Sequence, residues 1–187
     1  MKKYLKVLMI VALAVLLVGT TFAATYAWLT AKTDTIVNTF TAGNISITLN
    51  ETTGTKYKMV PGVKIIKDPK VTVKEGSEQC WLFVKIEKSD KFDTVMNFSV
   101  ADGWQLVPGE TNIYYREVTV SGEDAVIGED QVFSVLAGDE ITVIDTTTKE
   151  QFNALGTSPT LTITAYAVQR KGIADVSAAW GQAKVLG

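Results

Sequence analysis

The sequence predicts an all-β protein, a jelly-roll-like antiparallel β-sandwich with one or two short decorating helices. Short runs of alternating apolar and polar residues recur along the chain, the period of a strand with one buried face. Turn residues punctuate these runs: Pro61-Gly62, Asp68-Pro69, Glu75-Gly76-Ser77, Asp102-Gly103, Pro108-Gly109, Ser121-Gly122 and Gly138-Asp139. No internal repeat, low-complexity tract or linker divides the chain, so eight or nine strands belong to one domain.

Residues 1–27 precede that domain. Lys2, Lys3 and Lys6 lead an unbroken apolar run of 12 residues, Val7–Val18, followed by small residues ending in Thr25-Tyr26-Ala27. This is the pattern of a secretory signal peptide. Thr25 and Ala27 are the small residues a signal peptidase needs at −3 and −1, which makes Trp28 the first mature residue. Ala23 with Thr21, and Ala24, are rival sites. A retained anchor is the alternative, because the 25 residues between Lys6 and Lys32 carry no charge and reach across a bilayer core of about 30 Å. Gly19 and the threonines weaken that span.

Residues 28–43 read as an extended N-terminal segment and 44–187 as the domain. The strands come in order. Asn44–Leu49 places Ile45, Ile47 and Leu49 on one face, and Val71–Val73 repeats the pattern. Trp81–Glu87 is more continuously apolar, as in a strand buried on both faces at one end. Asn97–Val100, Ile113–Val120, Gln131–Leu136 and Ile141–Ile144 follow. Thr160–Gln169 closes the series, with Leu161, Ile163, Ala165 and Ala167 on one face. Thr148 is a cap for a short helix that Gly156 ends. A second helix, Ile173–Trp180, spaces Ile173, Val176 and Trp180 by three and four.

Composition narrows the function. Of 18 Lys+Arg and 20 Asp+Glu, the signal segment removes only three lysines, leaving a mature net charge of −5. That acidity argues against a nucleic-acid partner, which requires a basic face. The single Cys80 excludes an internal disulfide and reads as a small buried hydrophobe, with an intermolecular disulfide as the alternative. Histidine is absent, which removes the commonest general base and zinc ligand.

No Ser/His/Asp or Cys/His device, HExxH site, P-loop or GxGxxG is present. Catalytic, cofactor-binding and metal sites are therefore all expected to be none, and the protein not an enzyme. Glu123-Asp124, Glu129-Asp130 and Asp90-Lys91-Phe92-Asp93 read as solvated loops before weak cation sites. Trp81, Trp104, Tyr114, Tyr115 and Trp180 are core fillers or, alternatively, sugar-stacking platforms.

The segment Thr25-Tyr26-Ala27, Thr33-Asp34-Thr35, Asn38–Gly43 and Ile45/Ile47/Leu49 resembles the N-terminus of the TasA/camelysin (CalY) family of Gram-positive bacteria. Val60-Pro61-Gly62 with Lys67-Asp68-Pro69, the strand Leu82–Ile86, and Ala165–Gln169 before a helix carrying Ala179-Trp180 extend the likeness, which is loose over 88–160. The resemblance implies export through a SipW-type signal peptidase to the cell surface or biofilm matrix. It also implies assembly of the chain with itself into fibres by strand addition, with membrane contact only through the signal segment. Its donor strand falls within Trp28–Phe40, with Ile36 and Phe40, or Val37 on the opposite face, as candidate contacts; pairing of the same segment within its own chain is the alternative. A monomeric surface module binding glycan or protein, or an accessory of fibre assembly, is the other functional reading. Camelysin's described metalloprotease activity does not carry over, since this chain has no histidine.

Overall fold

The computed structural model describes residues 30–33, 44–54, 57–123 and 125–186. Among these residues the fold is an all-β antiparallel sandwich of eleven strands with two short helices. Strand β1 (Thr30–Thr33) is followed by β2 (Ile47–Asn50), β3 (Lys64–Ile66), β4 (Lys70–Val73) and β5 (Cys80–Lys88). Next come β6 (Met96–Asn97), β7 (Gln105–Leu106), β8 (Ile113–Val118), β9 (Gln131–Ser134), β10 (Glu140–Val143) and β11 (Leu161–Gln169). Helix α1 (Lys149–Ala154) lies between β10 and β11, and α2 (Val176–Ala183) follows β11. The strands form a five-stranded sheet in the order β1-β11-β5-β8-β7 and two three-stranded sheets, β3-β10-β6 and β2-β4-β9.

The period-2 alternation read from the sequence sorts the side chains into two cores. Cys80, Leu82, Val84 and Ile86 of β5 and Ile163, Ala165 and Ala167 of β11 face the larger core, where they meet Ile47, Val71, Val73, Ile65, Ile141 and Val143 of the other two sheets. Trp81 and Phe83 of β5 and Tyr166 and Val168 of β11 face the opposite way, onto Ala179, Trp180 and Ala183 of α2. The five-stranded sheet is thus covered on both sides. This explains why Cys80–Val84 is buried without interruption while Glu87 and Lys88 at the far end are exposed.

Both helices form where caps allow them. Thr148 Oγ1 accepts from Gln151 N at 3.3 Å, and Gln151 Oε1 accepts from Thr148 N at 2.7 Å, a reciprocal capping box. Gly156, with φ +71°, follows the end of α1. Helix α2 begins later than the hydrophobic spacing suggests, because Asp175 caps it by accepting from Ala178 N at 2.9 Å. Ile173 packs at its approach. The helix is also more than decoration. Trp180 is buried, its ring 5.3 Å from Phe83 and 5.6 Å edge-on to Tyr166. Its Nε1 donates to Glu110 Oε1 at 2.8 Å, and Lys184 pairs with the same carboxylate. These contacts hold the Glu110 carboxyl below its ordinary range, first through Lys184 and then through Trp180.

A buried carboxylate fixes the entry to β4. Asp68 accepts from Thr52 Oγ1 at 2.6 Å, from Thr52 N and Thr53 N at 3.0 Å each, and from Thr53 Oγ1 at 3.0 Å. The Thr52 hydroxyl, followed by these other donors, stabilises the ionised form and outweighs the opposing effect of burial, so the carboxyl lies far below its ordinary value. At the seam between β8 and β9, the Arg116 guanidinium lies 3.9 Å from the Phe133 ring centroid and 5.3 Å from that of Trp104. Gly103 beside it has φ +85°, the left-handed region that favours glycine.

Phe83→Ala will cost about 3–5 kcal/mol of unfolding free energy, because it empties the contact between β5 and α2. Ile66→Ser, at a site 66% exposed, will change it by less than about 0.5 kcal/mol. Urea denaturation followed by circular dichroism reads both. Asp68→Asn will lower the thermal midpoint at neutral pH. Since the folded-state value of Asp68 is depressed, its stabilisation is complete above the ordinary value of 3.8 and is lost as pH falls below it. Melting curves of the two proteins should therefore converge on acidification below that value, and a constant gap would refute the assignment.

Candidate functional site at the sheet edge

The sheet edge formed by β11 is the feature that bears most directly on function. Along one side β11 pairs over its whole length with β5, from Leu161 opposite Lys88 to Gln169 opposite Cys80. Along the other it pairs with β1, antiparallel, with Thr30 opposite Val168, Ala31 opposite Ala167, Lys32 opposite Tyr166 and Thr33 opposite Ala165. Leu161–Thr164 have no strand partner on that side among the described residues. The four residue pairs of this antiparallel ladder join β1 to the β11 edge through the main chain.

The N-terminal segment thus pairs, at Thr30–Thr33, with its own chain. Trp28, Thr25 and Ala27 at the expected cleavage site, and Ile36, Val37 and Phe40, lie outside the described residues. No described residue of either core precedes Ile45, so a chain lacking residues 1–27 keeps every described core contact.

At the upstream end of β1 the sheet opens into a cleft of about 690 Å³. Trp81 lines it, with Glu117 at its side and Arg170 donating from Nε to Glu117 Oε2 at 2.8 Å. The wall is built rather than loose. Arg170 N donates to Gln79 O at 2.9 Å, Gln79 Nε2 donates to the carbonyls of Gly122 and Ala125, and Glu78 bridges to Val126. Trp81 is 7% exposed, and its buried Nε1 has no hydrogen-bond partner among the described residues.

Of the aromatic residues singled out in the sequence, Tyr114 and Tyr115 are half-buried. Trp81, Trp104 and Trp180 are buried. Trp104 Nε1 donates to Ser134 O at 2.9 Å, and the half-buried Tyr115 shares a 2.9 Å hydrogen bond with Gln105 Oε1. Cys80 is fully buried, and burial alone pushes its thiol up to about 12, which leaves it unsuited to an intermolecular disulfide. Of the acidic loops, Asp130 is held by Lys74 Nζ at 2.7 Å and Glu75 N at 2.9 Å, and its carboxyl is lowered by them in that order. Asp93 pairs with Lys88, and Phe92 is buried. No cluster of three acidic or cysteine ligands suited to a metal ion occurs among the described residues, and no helix among them is long and apolar enough to cross a membrane.

No protein-family model, curated protein or solved structure matches this chain.

If β1 covers the β11 edge, a chain beginning at Asn44 will show faster amide hydrogen exchange over Ala165–Val168 than one beginning at Trp28, with β5 unchanged. Hydrogen-exchange mass spectrometry of both chains decides this, and equal protection of β11 would refute the pairing.

Proposed function

We propose that this protein is a secreted structural subunit of the cell surface or biofilm matrix, one that assembles with copies of itself by exchange of the N-terminal strand. The observation that carries the reading is the pairing of β1 with the β11 edge. A four-residue strand that pairs with β11 through the main chain, and is joined to the rest of the chain through residues 34–43, can make the same ladder on the β11 edge of another copy. Such a contact joins unlike surfaces and repeats head to tail, so it generates an open filament instead of a closed ring.

The exported state follows from the signal-peptide pattern of residues 1–27 and the cleavage set Thr25, Ala27 and Trp28. The likeness to TasA/camelysin proteins supports the same reading, with a SipW-type peptidase as the processing partner. With one cysteine in the chain, the core closes without an internal disulfide.

Negative-stain electron microscopy of residues 28–187, fresh and after days at neutral and mildly acidic pH, tests this. Regular filaments are expected. Ala31→Pro combined with Lys32→Pro should abolish them while leaving the circular dichroism of the domain intact. Successive N–H groups of a strand point to opposite sides, so one of the two prolines must remove a ladder bond to β11. Isolated particles under every condition would overturn the proposal.

A further inference from the structure

Strand β3 is the edge of its sheet: it pairs with β10 on one side and with no strand on the other among the described residues. Its register fixes which main-chain groups that free side presents. Val143 N donates to Val63 O at 3.0 Å, and Lys67 N donates to Asp139 O at 2.8 Å. Val63, Ile65 and Lys67 are therefore the residues whose main chain faces β10. Successive residues of an antiparallel ladder turn their N–H and C=O to opposite sides. Lys64 and Ile66 thus aim both groups at the free side, where they meet no main-chain partner among the described residues. This side is open: the Lys64 side chain is 65% exposed and Ile66 is 66% exposed. Val60 and Val63 close by in the chain are exposed as well, and β3 contains no proline. An edge of this kind is a template for a further strand.

We propose that β3 joins two copies of this chain edge to edge, antiparallel, about a two-fold axis through Ile65. In that register Lys64 of each copy lies opposite Ile66 of the other. Both N–H and both C=O groups of each edge then meet their complements, in four main-chain hydrogen bonds. The partner is a second copy because the segment is complementary to itself, and a two-fold contact satisfies all these groups with no other residue. The two β3-β10-β6 sheets become one sheet of six strands.

A lysine on an edge strand ordinarily discourages pairing. Here Lys64 is tied to Glu140 of its own chain, and the register faces it with Ile66, never with the other Lys64. Its aliphatic stem then covers the exposed Ile66 side chain. An axis through Lys64 instead would set two ammonium groups opposite one another.

Three residues a side make a contact smaller than a stable dimer needs. Alone it gives a weak pair; repeated along two filaments it sums, as linked weak contacts do. Strand exchange joins unlike surfaces and lengthens a filament, whereas the β3 pair joins like surfaces and ties one filament to another. That lateral role rests on the strand-exchange reading; the pair itself does not.

The test begins with chain 28–187 carrying Ala31→Pro and Lys32→Pro, which block strand exchange. Sedimentation velocity should show a monomer–dimer equilibrium that shifts with concentration. Adding Ile66→Pro should raise the dimer dissociation constant by about tenfold or more, because it removes one donor from each copy. The Ile66 N–H makes no bond to β10, and proline is tolerated on such an edge, so the thermal midpoint should stay close to that of the parent. The register is read by mixing a Lys64→Cys chain with an Ile66→Cys chain under oxidising conditions. Disulfides between positions 64 and 66 should outnumber those joining like positions, with the buried Cys80 taking no part. A monomer at every concentration, a dimer indifferent to Ile66→Pro, or disulfides without that preference overturns the pair. In chains without the β1 prolines, Ile66→Pro should leave single filaments but no side-by-side bundles in electron micrographs, and bundles that persist overturn the lateral role. Filaments without the β3 pair would remove this inference alone. A β3 pair in a chain that never forms filaments would remove the strand-exchange reading alone.

Discussion

The pairing of β5 with β11 is the constraint on which the rest of the molecule depends. Nine consecutive residues of one strand lie opposite nine of the other, and both faces of the pair are buried over most of that length. Alternation then assigns each side chain without choice. A slip of one residue would turn Leu82, Val84, Ala165 and Ala167 out of the larger core and drive Thr164 and Lys85 inward. The two three-stranded sheets pack on one side of this pair and α2 on the other, so each layer finds its position through the same ladder.

Most of the architecture was legible because burial and periodicity coincide. The β5 run reads as doubly buried at one end, and that end is where α2 lies. The Thr148 cap and the Gly156 stop of α1 are local signals and appear in the structure where the residues place them. Cys80 reads as a buried hydrophobe and is one. What escaped reading has physical reasons. Strands β3 and β7 cover three and two residues, too few for a period to show, and Leu106 and Ile66 in them are exposed. The start of α2 is set by the Asp175 cap, which overrides the apolar spacing that begins at Ile173.

The candidate site was legible only in part. An extended N-terminal segment was implied by the family resemblance, but its partner could not be read locally, because β11 lies more than a hundred residues downstream and nothing local marks its free side. The cleft was less visible still. Its walls come from the segments around Gln79, Glu117, Ala125 and Arg170, brought together by the β5–β8 and β5–β11 registers. The tryptophans illustrate the ambiguity of a large aromatic side chain. Trp81 and Trp104 read in sequence as core fillers with ligand platforms as the alternative, and both are buried in the structure, Trp81 also lining the cleft.

The direction in which β1 lies has a mechanical meaning. Its four pairs with β11 are antiparallel, and its axis runs along the sheet edge, across the direction of the hydrogen bonds. A pull along the axis of β1 reaches all four residue pairs together, in shear, instead of peeling them apart one after another. A junction loaded this way yields late and abruptly, so even a four-residue strand can bear tension along its length.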